Sequence, residues 1–205
     1  MINLYGASGH CKVIIDIITN IGLTINKIYD DNKDVNEILN FKVTKSENLS
    51  KSENEFFIIS IGNNKIRKNI SKKFDLKYIK AVHKSAIVSS SSTINHGTVV
   101  MPGSIINSNV KIGEHCIINT ASVIEHDCQI SDYVHICPNV SLAGGVNVGE
   151  GSQVGIGATV IQGIKIGKWS IIDAGSVIIR DVPDYSIVVG NPGKVIKFMN
   201  KDNEN

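Results

Sequence analysis

The residues best suited to chemistry in this 205-residue chain fall in one short run, Asn119-Thr120-Ala121-Ser122-Val123-Ile124-Glu125-His126-Asp127. A histidine followed directly by a carboxylate is a base with its own orienting group, because the acid holds the imidazole and raises its basicity. Moving an acyl group from a thioester to an amine or alcohol requires such a base for the nucleophile's proton. His126 stands two residues past a core aliphatic position. The repeat described below puts a corner there, so the ring is expected to project from the body and reach a neighbouring subunit. His83, His96 and His115 show no acidic neighbour in register and read as surface or cap residues. Cys128 is close in sequence and raises a covalent acyl-enzyme as an option, but its place in the repeat faces inward. Cys11, Cys116, Cys128 and Cys137 form no C-x-x-C pair. Reduced structural thiols are expected rather than zinc ligands or disulfides.

A second group of polar residues gathers near the N-terminus. Ile2–Tyr5 reads as a strand, Gly6-Ala7-Ser8-Gly9 as a tight loop, and 11–21 as a helix with Val13, Ile14, Ile17, Ile18 and Ile21 on one face. Strands are also expected at 25–29, ending at Asp30-Asp31, and at 56–61, followed by Gly62-Asn63-Asn64 and a basic helix from Lys65. Strands alternating with helices argue for a small parallel Rossmann-like βαβ unit over residues 1–80. Ligands of such units sit at the carboxyl ends of the strands, where all three polar loops lie. Loop amides at a helix N-terminus cradle a phosphate, and an acid after the second strand accepts hydrogen bonds from a ribose or base. The glycine spacing is not G-x-G-x-x-G, which disfavours a dinucleotide cofactor and a sugar-nucleotide oxidoreductase.

What must position His126 is a repeat. Every sixth residue from Val88 to Ile178 is Val, Ile or Leu, sixteen in succession. A helix needs a period of 3.6 and a plain strand a period of 2, so a strict six means a short strand plus a turn, repeated. The residue two before each aliphatic is mostly small or β-branched, as in Ala86, Ser92, Thr98, Ser104, Cys116 and Ser122. Three after the aliphatic come Gly97, Gly103, Gly145, Gly151, Gly157, Gly163 and Gly175, as turns with positive φ demand. The repeat region and its end cap occupy 81–205, and Asp181-Val182-Pro183-Asp184 closes the periodicity.

The bulk numbers exclude several classes. Hydrophobic residues make up 42% and charged residues 20%, with a net charge of +2, as in an ordinary globule. No basic block suggests nucleic acid, and runs such as Phe56-Phe57-Ile58-Ile59 are too short to span a bilayer. With no basic leader ahead of Ile2, a cytoplasmic protein is expected.

The pattern resembles the hexapeptide-repeat acyltransferases. The terminal Gly190-Asn191-Pro192-Gly193-Lys194-Val195 shares this likeness, and Tyr5-Gly6-Ala7-Ser8-Gly9-His10, the N-T-x-x-V-I-E-H-D segment and Leu142-Ala143-Gly144-Gly145-Val146 narrow it to one branch. That branch holds N-acetyltransferases of nucleotide-linked 4-amino sugars and sialic-acid O-acetyltransferases. The resemblance implies a left-handed parallel β-helix after the α/β unit, three hexads to each coil of about 18 residues, hence about five coils over 87–180. It implies His126 as base with Asp127 tuning it, where relatives often carry Glu. It implies acetyl-CoA as cosubstrate, touched by His135 and lined by Gly144, Ile156 and Ala174. It also implies a nucleotide sugar held by Gly6, Ser8, Gly9, His10, Asp30, Asp31 and Asn119, with no metal, in a homotrimer. An 18-residue coil stacks Gly144 one turn above His126, its amide facing a tetrahedral oxyanion. The nine residues from His126 to His135 are half a coil, so the two histidines should lie on opposite sides of one prism. Each site then takes them from different chains. Trp169 stands in the glycine column, either packing on adenine or covering a neighbour. The expected activity is N-acetylation of the 4-amino group of a nucleotide-linked 4-amino-4,6-dideoxyhexose, for surface glycans. The alternatives are O-acetylation of sialic acid or CMP-sialic acid, and a non-catalytic β-helix binding protein.

Overall fold

A computed structural model describes residues 1–49 and 55–200; the polar tail 201–205 lies outside the described residues. The chain starts with β1 (Ile2–Tyr5), α1 (Gly9–Asn20), β2 (Ile25–Asp30), β3 (Glu37–Ile38), β4 (Phe41–Lys45), β5 (Phe56–Ile59) and α2 (Asn64–Lys73). Their sheet has the order β3-β4-β2-β1-β5, with β1 parallel to β2 and β5. β1 is apolar apart from Asn3, and all four of its residues are buried, as befits a central strand covered on both faces. Asn3 is only half satisfied there: its Oδ1 accepts from Asn26 Nδ2 at 3.0 Å, while its Nδ2 is buried without a partner. α1 buries Cys11, Ile14, Ile15, Ile17 and Ile18 along one stripe.

The sheet corrects the three-strand expectation. β3 and β4 form a hairpin, and β4 adds in parallel beside β2, so one edge is mixed. The hairpin turns on Leu39 (φ 45°) and Asn40 (φ 66°). Two left-handed residues suit a tight hairpin, but Leu-Asn lacks the Asn-Gly signal that would reveal it.

From Ala81 the chain winds into a left-handed parallel β-helix with three flat faces. Face 1 carries Val99–Val100, Ile117–Ile118, His135–Ile136, Gln153–Val154 and Ile171–Ile172. Face 2 begins at Ile87–Val88 and has six strands, and face 3 begins at Thr93–Ile94 and has five. Each strand has two residues and pairs with one 18 residues on, as in Ile106↔Ile124, Ile112↔Ile130 and Ile118↔Ile136. Fifteen of the sixteen hexad aliphatics are buried, and only Val88 in the first coil is half-buried. Full burial of one such side chain contributes about 1.5–3 kcal/mol, so this column is the main stabilising element of the prism.

The corners explain the two minor columns. Buried Thr98 and Ser104 donate to the carbonyls of Gly113 and Asn119, and Cys116 and Cys128 do the same with their thiols to Ser131 and Ala143. A small donor at the corner thus satisfies a carbonyl fifteen residues ahead. Cys128 therefore faces inward, and all four cysteines are buried free thiols. In the glycine column every residue from Gly97 to Gly175 has positive φ, including the non-glycines Asn109, His115, Ala121, Asp127, Tyr133, Asn139 and Trp169. Above Ile178, Val182 bridges Ile166. Asp181 and Asp184 accept from the amides of Lys165 and Lys168 at 2.8 Å, and the antiparallel pair Ser186–Val189 and Lys194–Phe198 closes that end of face 1.

The α/β unit is seated on the prism in two places. Ala81, Val99, Met101 and Ile117 share an apolar cluster with α1. Arg67 of α2, 1% exposed, spends all its donors at the junction. Nε donates to His115 O (2.7 Å), Nη1 to Ile61 O and Gly62 O, and Nη2 to Asn64 Oδ1 and Tyr133 O. Beside it Asn64 Nδ2 donates to the carbonyls of Gly151 and Ser152.

Candidate active site

His126 and Asp127 form the turn between faces 2 and 3, the corner opposite face 1. His126 Nδ1 lies 2.8 Å from Asp127 Oδ2, with the two side chains 63% and 56% exposed. The ring is thus oriented by its neighbour, and its Nε2 makes no hydrogen bond to the protein among the described residues. Asp127 is anchored from below, where Asn109 Nδ2 donates to Oδ1 at 2.6 Å. The Asn109 and His126 hydrogen bonds hold the Asp127 carboxyl below its usual range. Above, Gly144 lies against the imidazole: a Cβ there would meet His126 Cε1 and Nε2 at 2.6 Å. Only glycine lets the chain pass that close, and among the described residues the Gly144 N–H has no protein acceptor. A base with an adjacent unspent amide is the equipment for addition to a carbonyl.

A second polar centre lies on face 1, beneath the α/β unit. His135 Nε2 is 3.0 Å from Asn119 Nδ2, and its ring centroid is 6.4 Å from that of His10. Burial, then Arg67 and His10, push the His135 pKa down to about 3, against an opposing hydrogen bond to the Gly62 backbone. Burial and Arg67 bring His10 down to about 4, and its Nε2 is buried without a partner. The glycine loop is shaped from both sides. Gly6 has φ +109°, and a Cβ there would meet Ile61 Cγ1 at 2.3 Å, whereas Gly9 faces open space. Ser8 starts α1 without capping it by its side chain. Asp30 Oδ2 accepts from Ala7 N at 2.6 Å and Oδ1 from Asn32 N. Asp31 accepts from Tyr5 Oη at 2.8 Å and from Ser46 Oγ. Both acids therefore build the loop rim and keep further lone pairs for a ligand.

The third set, Ile156 and Ala174, is exposed on the corner between faces 1 and 2, one coil apart. Ile156 is 57% exposed, and a Cβ at the following Gly157 or Gly175 would meet nothing within 4 Å. That corner is an open apolar ledge leading up from His135, fit for the thin chain of a thioester cosubstrate.

Two expectations for histidines are overturned. His115 is 2% exposed, packed edge-on to Tyr78 and parallel to Tyr133. α2 and the segment around Tyr78 cover its corner, which hexad spacing does not show. His96 does have an acidic partner, Glu114 Oε2 at 3.2 Å. Trp169 covers a neighbour: its ring presses on Gly151, whose added Cβ would come within 2.4 Å, and Lys68 Nζ sits 4.9 Å from the centroid. A cavity of about 270 Å³ lies between α2 and face 1, lined by Asn63, Lys65, Lys68, Gln153, Trp169 and Tyr185 among others. Asn109 and Arg67 went unrecognised in the sequence. Asn109 was detectable from its 18-residue spacing to Asp127, while Arg67 reads as one more cation of a solvated helix.

Residues 1–74 match the PglD N-terminal domain family. A variant of perosamine N-acetyltransferase from Caulobacter crescentus, in complex with CoA and GDP-perosamine, is 34% identical with a TM-score of 0.88, covering 96% of each chain. The acetyltransferase domain of PglB from Neisseria gonorrhoeae, in complex with acetyl coenzyme A, is 32% identical with a TM-score of 0.88, covering 95% of this chain and 98% of that one. Serine acetyltransferase 4 of Arabidopsis thaliana is 33% identical over 128 residues, 58% of this chain and 30% of that protein. The chain thus spans about a third or less of the curated relatives it matches first.

Proposed function

This chain belongs to the hexapeptide-repeat sugar acetyltransferases, and on that premise we propose that it transfers acetyl from acetyl-CoA to the 4-amino group of a nucleotide-linked 4-amino-4,6-dideoxyhexose. The observation that carries the reading is the likeness of the whole chain, α/β unit and prism together, to an enzyme holding CoA and GDP-perosamine. A β-helix used only for binding has no need of both parts in that order. The nucleotide part docks at Gly6, Ser8, Gly9 and His10, with Asp30 and Asp31 at the rim and Asn119 and His135 beneath. His135 contacts the acetyl-CoA, and Gly144, Ile156 and Ala174 line it.

His126 takes the proton from the attacking amine as its nitrogen bonds to the thioester carbonyl. The Gly144 amide steadies the resulting oxyanion. The intermediate collapses with loss of the CoA thiolate, which takes up a proton. Direct transfer fits Cys128, whose buried thiol is raised by burial above its ordinary pKa and is a poor nucleophile.

The placement of the groups argues for an assembly. His126 is on the corner opposite face 1, whereas His135 and the glycine loop are on face 1. On this reading each site takes His126 from a neighbouring chain. A corner set against a different face is a heterologous contact, which closes into a ring when its rotation allows; the resemblance to the family makes that ring a homotrimer. We assign the step to the cytoplasmic stage of surface polysaccharide biosynthesis. No helix among the described residues is long and apolar enough to cross a membrane.

The test is CoA release from acetyl-CoA with UDP-, dTDP- and GDP-linked 4-amino sugars, beside sialic acid and CMP-sialic acid. Turnover with an amino sugar, abolished in His126→Ala, is the expected result. Turnover with sialic acid alone would replace it by O-acetylation, and no turnover with any acceptor would overturn the substrate class.

A further inference from the structure

The turn column at the corner between faces 2 and 3 reads Ser91, Asn109, Asp127, Gly145, one residue per coil. Its lower members are tied together in sequence. Ser91 Oγ accepts from Asn109 N at 3.0 Å, and Asn109 Nδ2 donates to Asp127 Oδ1 at 2.6 Å. Asp127 Oδ2 then faces His126 Nδ1 at 2.8 Å. The carboxylate is therefore held at both oxygens, by the coil below and by the ring it serves. Asp127 needs this more than a longer acid would. It sits in a left-handed turn (φ 62°), is more than half exposed, and without the amide would rotate into solvent among its staggered rotamers.

We propose that Asn109 is a positioning residue for the general base, locking Asp127 in the rotamer that keeps His126 protonated on Nδ1 and its Nε2 lone pair free for the substrate amine. The proposal rests on the reading of His126 as the base. Asn109 touches no reacting atom and acts only through Asp127. Its effect must therefore be absent where Asp127 has already lost its carboxylate.

The geometry supplies a clean variant. Asn109 has φ 61°, and seven of the fourteen equivalent turn residues from Gly97 to Gly175, taken over all three corners, are glycines at similar φ. Asn109→Gly removes the donor while leaving a backbone that glycine adopts freely. The experiment compares wild type, Asn109→Gly, Asp127→Asn and the double variant, with the amino-sugar nucleotide of highest turnover as acceptor. Losing one hydrogen bond to a charged group predicts a fall in kcat of about ten-fold for Asn109→Gly, with both KM values unchanged. The double variant should be no slower than Asp127→Asn, which is the signature of two residues acting as one unit. A kcat for Asn109→Gly within two-fold of wild type, or losses that multiply in the double variant, would overturn the proposal.

A second readout needs no acceptor. The imidazole nitrogen shifts of His126 should show a predominant Nδ1–H tautomer in wild type and movement toward Nε2–H in Asn109→Gly. Identical spectra would equally overturn it. Undiminished turnover in His126→Ala is the separate outcome that removes the base reading itself.

Discussion

Three imidazoles in this molecule are held as neutral rings, His115 fully buried and His10 and His135 half-buried, and this makes the fold sensitive to acid. His10 and His115 are brought down to about 4 and His135 to about 3. Burial is the first cause in each, followed by Arg67 for His10 and His135 and by His96 for His115. In the unfolded chain each takes up a proton near pH 6.5. Between that value and about pH 4 the unfolded state binds more protons than the folded one, so stability is full above this window and is lost as pH falls through it. Each proton contributes a slope of about 1.4 kcal/mol per pH unit. The melting temperature should therefore drop steeply from pH 7 to pH 4.5. His115→Phe, whose ring can keep the contact with Tyr133, should flatten the drop by about a third. A melting temperature constant over that range would show the three rings to be more open than their burial implies. The same residues show why some of the site was legible and some was not. His126 and Asp127 are adjacent, and their turn pairs them directly. His115 is adjacent only to residues of its own coil, and what buries it is Tyr78 from a distant segment, together with Arg67 and Tyr133. A one-dimensional pattern carries the first relation and not the second.

The elements repeat the lesson with the opposite balance. The hexad column was readable because each strand has one inward residue and pairs with its equivalent 18 residues on, so periodicity in the sequence is the same thing as contact in space. The β3–β4 hairpin was not readable, because Leu39-Asn40 carries no turn signature of its own and its strands are fixed by pairing with β2. The glycine column lies between these cases, since its glycines marked the turns but not what each turn must accommodate. Gly151 and Gly157 have nearly the same φ, 68° and 67°. A Cβ would meet Trp169 at 2.4 Å in the first and nothing within 4 Å in the second. Gly157→Ala should cost only the left-handed strain, about 1–2 kcal/mol. Gly151→Ala should cost that plus displacement of the indole and its contact with Lys68, a further loss of about 1–3 kcal/mol. Urea denaturation of the two variants checks the difference, and equal midpoints would mean that Trp169 moves aside without penalty.

At the scale of the whole molecule, the prism separates what the reaction must join. The strand pairing that stacks Gly144 on His126 also holds that corner away from face 1, where Arg67 and α1 seat the glycine loop. His126 and His135 both belong to rigid coils, so the proposed mechanism calls on a second copy of the chain. The exposed apolar residues Val195, Ile196 and Phe198 of the C-terminal strand, with Ile179 and Ile156, are available to be covered in such an assembly. A proposal of this kind makes a numerical prediction. Let one variant lack the base, His126→Ala, and another carry an obstructed cosubstrate ledge, Ala174→Trp, each inactive alone. In a ring where every site takes His126 from one chain and the ledge from the next, dissociating and reassembling the two in equal amounts gives sites with both good halves about one time in four. Activity should thus return to about a quarter of wild type on mixing. Were both halves of a site drawn from one chain, every site in the mixture would keep one defect and activity would stay at the level of the parents. Native mass spectrometry of the same mixture, which separates mixed oligomers because the two chains differ in mass, reports whether chains have exchanged, so a null result in the presence of exchange places the site within one chain and ends the shared-site reading.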